Sequence, residues 1–278
     1  MLDREEYIEQ AYFFKTLAER LPQNQPMQEL LENVREEVLA TTKLPMALDY
    51  MLAELKHTGH VHSAMARLPH YFTGYQTYLM QAAEDDRSRF DMRMAVEILR
   101  FEAWYKGNGA TVQGLFLYQF EVLSRHRLRY DKGMAAMASD STYSEAWKQF
   151  ILTTRLQIGI VDLADLVYVR SEEYERRRQS GDEEADKPQM TVLFGQKEGR
   201  IALANRRKDP LFLFAAMQRQ LGYPAVPRVQ PYDPTPELIP QLLRRLERME
   251  VRLKLMEEEK QGGIDITKFY GGKGPQID

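Results

Sequence analysis

Residues 90–130 read FDMRMAVEILRFEAWYKGNGATVQGLFLYQFEVLSRHRLRY. Phe90, Met94, Ile98, Phe101 and Tyr105 recur at intervals of 4, 4, 3 and 4, which places them on one stripe of an α-helix. Gly107 and Gly109 close that segment. The next one, from Thr111 toward Tyr130, is apolar nearly all round at Leu115, Phe116, Leu117 and Tyr118. A helix with no polar face belongs in the middle of a bundle, because every side needs an apolar neighbour.

The same spacing extends outward from this pair. Tyr7, Ile8, Ala11, Phe14, Leu17, Ala18 and Leu21 form a 3–4 stripe that Pro22 ends. Further helical segments start at Pro26 and Pro45, the second stopping near Gly59, and others run through 61–68 and 71–83. The longest expected helix runs from Tyr143 into Arg176, Arg177 and Arg178. Only Met190–Phe194 reads as a β-like run, and five residues alone cannot make a sheet. The predicted class is all-α: a multi-helix, bundle-like domain followed by a proline-rich spacer and a short C-terminal coiled-coil helix.

Changes in composition divide the chain. Residues 1–180 form the helical domain. Residues 181–222 hold a polar loop and then a docking helix, with Asp209 as N-cap, Pro210 in the first turn and Gly222 as C-terminal stop. Pro224, Pro227, Pro231, Pro234 and Pro236 make 223–236 a semi-rigid spacer. Residues 237–261 form the coiled coil and 262–278 a flexible tail.

The coiled coil carries the clearest interaction signal. Ile239, Leu242, Leu246, Met249, Leu253 and Met256 are spaced 3, 4, 3, 4 and 3, the a/d seam of a heptad repeat. With Ile239 at a, Arg245 and Arg252 fall at g, and Glu250 and Glu257 at the following e positions. In a parallel pair each g residue meets the next e residue of the other chain, so both pairs are opposite in charge. The expected partner is a second copy of the chain, most simply in a parallel dimer. The tail adds Ile264–Tyr270, an alternating segment between Gly262-Gly263 and Gly271-Gly272 that suits addition to another protein's sheet edge.

Several function classes are excluded or left weak. There is no cysteine, hence no disulfide, thiolate metal site or cysteine nucleophile. A net charge of −3 gives no attraction to a polyanion, and the short clusters at Arg125, Arg127, Arg129 and at Arg206, Arg207, Lys208 read as helix ends. Nucleic acid is not an expected partner. Asp3-Arg4-Glu5-Glu6 stands where a secretory leader needs an apolar run, and no segment has the ~20 apolar residues of a membrane span. A cytoplasmic location is expected.

Two constellations suggest chemistry. His57, His60, His62 and His70 cluster, and Glu54 precedes His57 by three, on one helix face. Glu-x-x-His is half of a di-iron carboxylate signature, and Glu121, a charge on the apolar helix, is a further carboxylate. The second Glu-x-x-His pair is missing, so the histidines read as structural, Glu121 as the partner of Arg125, and no cofactor is expected. Asp162 and Asp165 read as part of a solvated helix face. The preferred function is therefore a non-catalytic, self-associating scaffold or adaptor. The alternatives are a helical metalloprotein using Glu54, His57 and Glu121, and a small-molecule-binding helical bundle.

Overall fold

The structure, a computed structural model, describes residues 2–23, 25–85, 87, 90–180 and 190–228, together with residues 246, 249, 250 and 253. The chain divides into two units, Met1–Arg228 and Val229–Asp278.

Within the first unit the described residues form thirteen α-helices. The first five are α1 (Arg4–Arg20), α2 (Met27–Glu37), α3 (Leu44–Thr58), α4 (Val61–Ala66) and α5 (Gly74–Glu84). The quoted stretch supplies α6 (Met92–Gly107) and α7 (Val112–Arg125). Then come α8 (Tyr130–Ala138), α9 (Glu145–Gln157), α10 (Leu163–Tyr168), α11 (Glu172–Gln179), α12 (Gln196–Ala204) and α13 (Pro210–Leu221). Among the described residues the only β pairings are two isolated bridges, Ile158 with Val161 and Ser171 with Phe194. Met190–Phe194 contributes to one of them and forms no strand.

Every residue of α7 from Gly114 to Leu123 is buried, as a helix without a polar face requires. The long α1 packs along α6, and α13 packs on α7. Phe116 gathers Trp147, Phe150 and Phe194 around it, with ring centroids 5.2–6.3 Å apart. Large side chains buried at this depth, from α7, α9 and the segment before α12, contribute about 1.5–3 kcal/mol each.

Local chemistry sets the helix ends at several points. Gly59 takes a left-handed conformation, φ 72°, and closes α3. Thr73 and Gln76 form a reciprocal capping box at the start of α5. Asp209 caps α13 through Leu211 N–H, and Gly222, φ 67°, closes it.

Two expectations fail. The helix expected from Thr111 toward Tyr130 ends at Arg125, because Arg127 takes a positive φ of 53° and turns the chain before α8 opens at Tyr130. The long helix from Tyr143 is three. Gly159, φ 90°, breaks it after α9, Asp162 caps α10 through Ala164 N–H, and Ser171 caps α11 through Tyr174 N–H. Apolar spacing persists across those breaks, so periodicity alone runs them together. The docking helix α13 buries Leu213, Phe214 and Met217 but leaves Leu211 and Phe212 largely open.

Tyr223 and Val226, at the start of the expected spacer, are buried in the first unit. The loop at 181–189, the spacer from 229 on, the tail 262–278 and most of the coiled coil lie outside the described residues.

Candidate functional site

The coiled-coil seam is represented by Leu246, Met249 and Leu253. All three are helical, and 55%, 56% and 57% of each is exposed. Glu250, at an e position, is also helical and exposed. Ile239, Leu242, Arg245, Arg252, Met256 and Glu257 lie outside the described residues. These three, open at 3–4 spacing, form an exposed apolar stripe among the described residues.

The sequence-predicted metal candidates do not converge. Glu54, near the end of α3, pairs with Arg67 at 3.2 Å, and His57 is exposed one turn on. Glu121 is in the core, with Arg125 Nε at 2.5 Å and the Tyr223 hydroxyl donating to it at 3.0 Å. The Arg125 partner is the one the i, i+4 spacing predicts. Tyr223 was not foreseen, because 102 residues separate it from Glu121. Glu54, His57 and Glu121 are thus not brought into one cluster among the described residues, and the two glutamates each face an arginine.

A different trio comes together instead. His60, His62 and Glu84 each offer a ligand atom within 4.8 Å of the others. His60 is the residue before α4 and is extended, φ −125° and ψ 128°, while His62 is in the first turn. The step from the extended His60 into the first turn of α4 leaves the two imidazoles side by side, 5.4 Å apart between centroids. Glu84, the last residue of α5, folds back onto them. Its Oε1 accepts from Val61 N–H at 2.6 Å, and its Oε2 accepts from His62 N–H at 2.9 Å. The same Oε2 lies 2.5 Å from His62 Nδ1. Sequence reasoning found the histidines but missed Glu84, which only the reversal between α4 and α5 brings near them. Asp162 and Asp165 are not a site either: Asp162 caps α10 and accepts from Arg207 N–H at 2.8 Å, and Asp165 pairs with Arg206.

The core also holds a charged cluster, in which only the Glu102–Lys106 pair has helical i, i+4 spacing. Lys106 Nζ lies 3.1 Å from Glu102 Oε1 and 3.0 Å from Asp140 Oδ2, all three buried. Gln119 donates to Glu102 at 2.8 Å and accepts from the Tyr143 hydroxyl at 2.7 Å. Burial by itself lowers the Lys106 ammonium, but the Glu102 and Asp140 carboxylates more than offset it and the net shift is upward. Burial likewise raises Asp140, and Lys106 with the Thr142 amide outweighs that and holds it below its usual value. Burial, and after it the nearby carboxylates, push the Tyr75, Tyr118 and Tyr143 hydroxyls well above the phenol range, so they remain donors. The cluster ties α6 to α7 through Gln119 and to the turn before α9 through Asp140.

The surface of the first unit carries further apolar groups. Leu156 and Ile160 are 75% and 86% exposed, and Ile160 and Pro210 line one open hollow. Trp104 is half exposed in a groove with Arg100, Phe101 and Pro224. No helix among the described residues is long and apolar enough to cross a membrane. Comparison with protein-family models, with curated proteins and with solved structures finds no match for this chain.

Proposed function

We propose that this chain is a non-catalytic helical scaffold or adaptor that self-associates in parallel, most simply as a dimer, through residues 237–261. The observation that carries the reading is the open apolar stripe at Leu246, Met249 and Leu253. Each of these side chains gains about 1.5–3 kcal/mol on full burial, and a second copy of the same seam is the surface whose spacing matches it. The charges of Arg245, Glu250, Arg252 and Glu257 favour that partner in parallel register. The first unit fits a scaffolding role, because its buried charges are engaged in packing rather than gathered at an open cleft. The tail segment Ile264–Tyr270 then provides a second contact, to another protein's sheet edge.

The experiment is light scattering on the purified chain and on a Leu246→Asp, Leu253→Asp variant. The proposal expects a dimeric mass for the first and a folded monomer for the second. A variant that keeps its assembled mass puts assembly elsewhere, with the open group around Leu156 and Ile160 the next place to look. A variant that unfolds makes the segment part of the core.

A further inference from the structure

We propose that His60, His62 and Glu84 bind one divalent transition-metal ion of the zinc type, a site independent of the self-association proposed above.

The geometry supplies three ligands from two elements. The extended backbone at His60 and the first turn of α4 aim both imidazoles to one side, and Glu84 reaches them from the end of α5. Two backbone amides, Val61 and His62, hold the Glu84 carboxylate in place at 2.6 and 2.9 Å. A ligand fixed in this way loses little entropy when it coordinates. The contact with Glu84 accounts for the His62 ring, and capping leaves the His60 imidazole unexplained. Among the described residues, no hydrogen bond holds the His60 ring, which rests against His62. His60 is exposed while His62 and Glu84 are half-buried, so an ion enters from the His60 side.

Donor chemistry selects the ion. Two imidazole nitrogens and one carboxylate oxygen suit Zn2+, Co2+ and Ni2+, with Cu2+ binding more tightly by the general affinity order. Ca2+ and Mg2+ prefer all-oxygen shells and are disfavoured. His62 Nδ1 and Glu84 Oε2, now 2.5 Å apart, must open to roughly 3.3 Å, the ligand spacing of a tetrahedral zinc site. Rotation of one ring or one carboxylate achieves this. An imidazole that coordinates through Nδ1 carries its hydrogen on Nε2, so the ion replaces the present His62–Glu84 contact. Three protein ligands leave at least one coordination position open to water.

The test uses the full-length chain without a histidine tag, titrated with Zn2+ by calorimetry and with Co2+ by its visible ligand-field bands. One equivalent per chain is expected. His60→Ala and His62→Ala should each weaken binding by at least the 10–100-fold that loss of a mere supporting partner costs. His60 is the decisive variant, because its described hydrogen bonds, to and from the Thr58 hydroxyl, use backbone atoms alone and the fold does not depend on its ring. His57→Ala and His70→Ala should bind as the parent does. Three results overturn the proposal: no stoichiometric uptake of either ion, uptake that survives the double variant His60→Ala with His62→Ala, or loss of uptake in His57→Ala or His70→Ala.

Discussion

The Lys106 ammonium on α6 stands 3.0 Å from the Asp140 carboxylate in the turn before α9, with 4% and 1% of the two side chains exposed. Glu102 shares the same ammonium from one helical turn back, and its second oxygen, Oε2, has no hydrogen-bond partner. One cation thus holds two buried carboxylates. Lys106→Met should leave them facing each other without compensation, at a cost of about 3–5 kcal/mol. Urea unfolding measures this directly. Adding Glu102→Gln and Asp140→Asn to that variant should recover most of the loss, since polar groups with no net charge are far cheaper to bury. A loss under about 1 kcal/mol in the single variant means the cluster is wetter than its burial indicates.

Glu173 supplies a pH dependence of definite sign. Arg176 first, then Arg177 and Arg200, hold its carboxyl down to about 2 from the usual 4.5. Their nitrogens lie 2.7, 3.0 and 3.3 Å from it. A folded-state pKa below the unfolded one means that the unfolded chain takes up the proton first as pH falls. The contribution is therefore complete above 4.5 and is lost between 4.5 and about 2. Glu173→Gln should be less stable at neutral pH and show a shallower decline across that interval. Melting temperature against pH, compared with the parent, isolates this group from the other carboxylates. Parallel curves would contradict the assignment.

Gly114 lies in the first turn of α7, against Tyr105 of α6. A Cβ there would stand 2.1 Å from the Tyr105 hydroxyl and 2.9 Å from the Thr111 hydroxyl. Tyr105 cannot retreat easily: it is buried, and it donates to the Leu221 carbonyl at the end of α13 at 3.1 Å. Gly114→Ala should therefore destabilise the chain by roughly 1–3 kcal/mol, although alanine is the better helix former. Chemical denaturation decides it. A stabilised variant would show that the ring has room to move.

The sequence made the helices legible because apolar spacing is a local property. It identified α7 as central from four consecutive apolar residues, Leu115 to Tyr118. It misread the breaks at Arg127 and Gly159, since a stripe can continue in register across a turn. The sites divide in the same way. Glu121 with Arg125 is one turn apart and was found; Glu121 with Tyr223 and His62 with Glu84 depend on chain reversals and were not. Lys106 and Asp140 are 34 residues apart, and nothing in either segment signals that both are buried.

The orientation of the proposed self-association is the last point open to test. In a parallel pair Arg245 faces Glu250 of the second copy and Arg252 faces Glu257, so a dimer holds four opposite-charge contacts. Arg245→Glu with Arg252→Glu turns each contact into a like-charge one. Each changes by a few tenths of a kcal/mol in lost attraction and as much again in repulsion, or roughly 2–4 kcal/mol over the four. Because the seam spans barely three heptads and Pro240 weakens its first turn, that shift is large against the total. Sedimentation should show the variant dissociating at concentrations where the parent is dimeric. Mixing it with a Glu250→Lys, Glu257→Lys chain should restore the dimer, since every contact is again opposite in charge. An antiparallel pair instead sets g against g and e against e. Its parent contacts are already repulsive, and the double glutamate variant would assemble no worse than the parent. Loss of the dimer in that variant thus selects the parallel arrangement, and its retention excludes it.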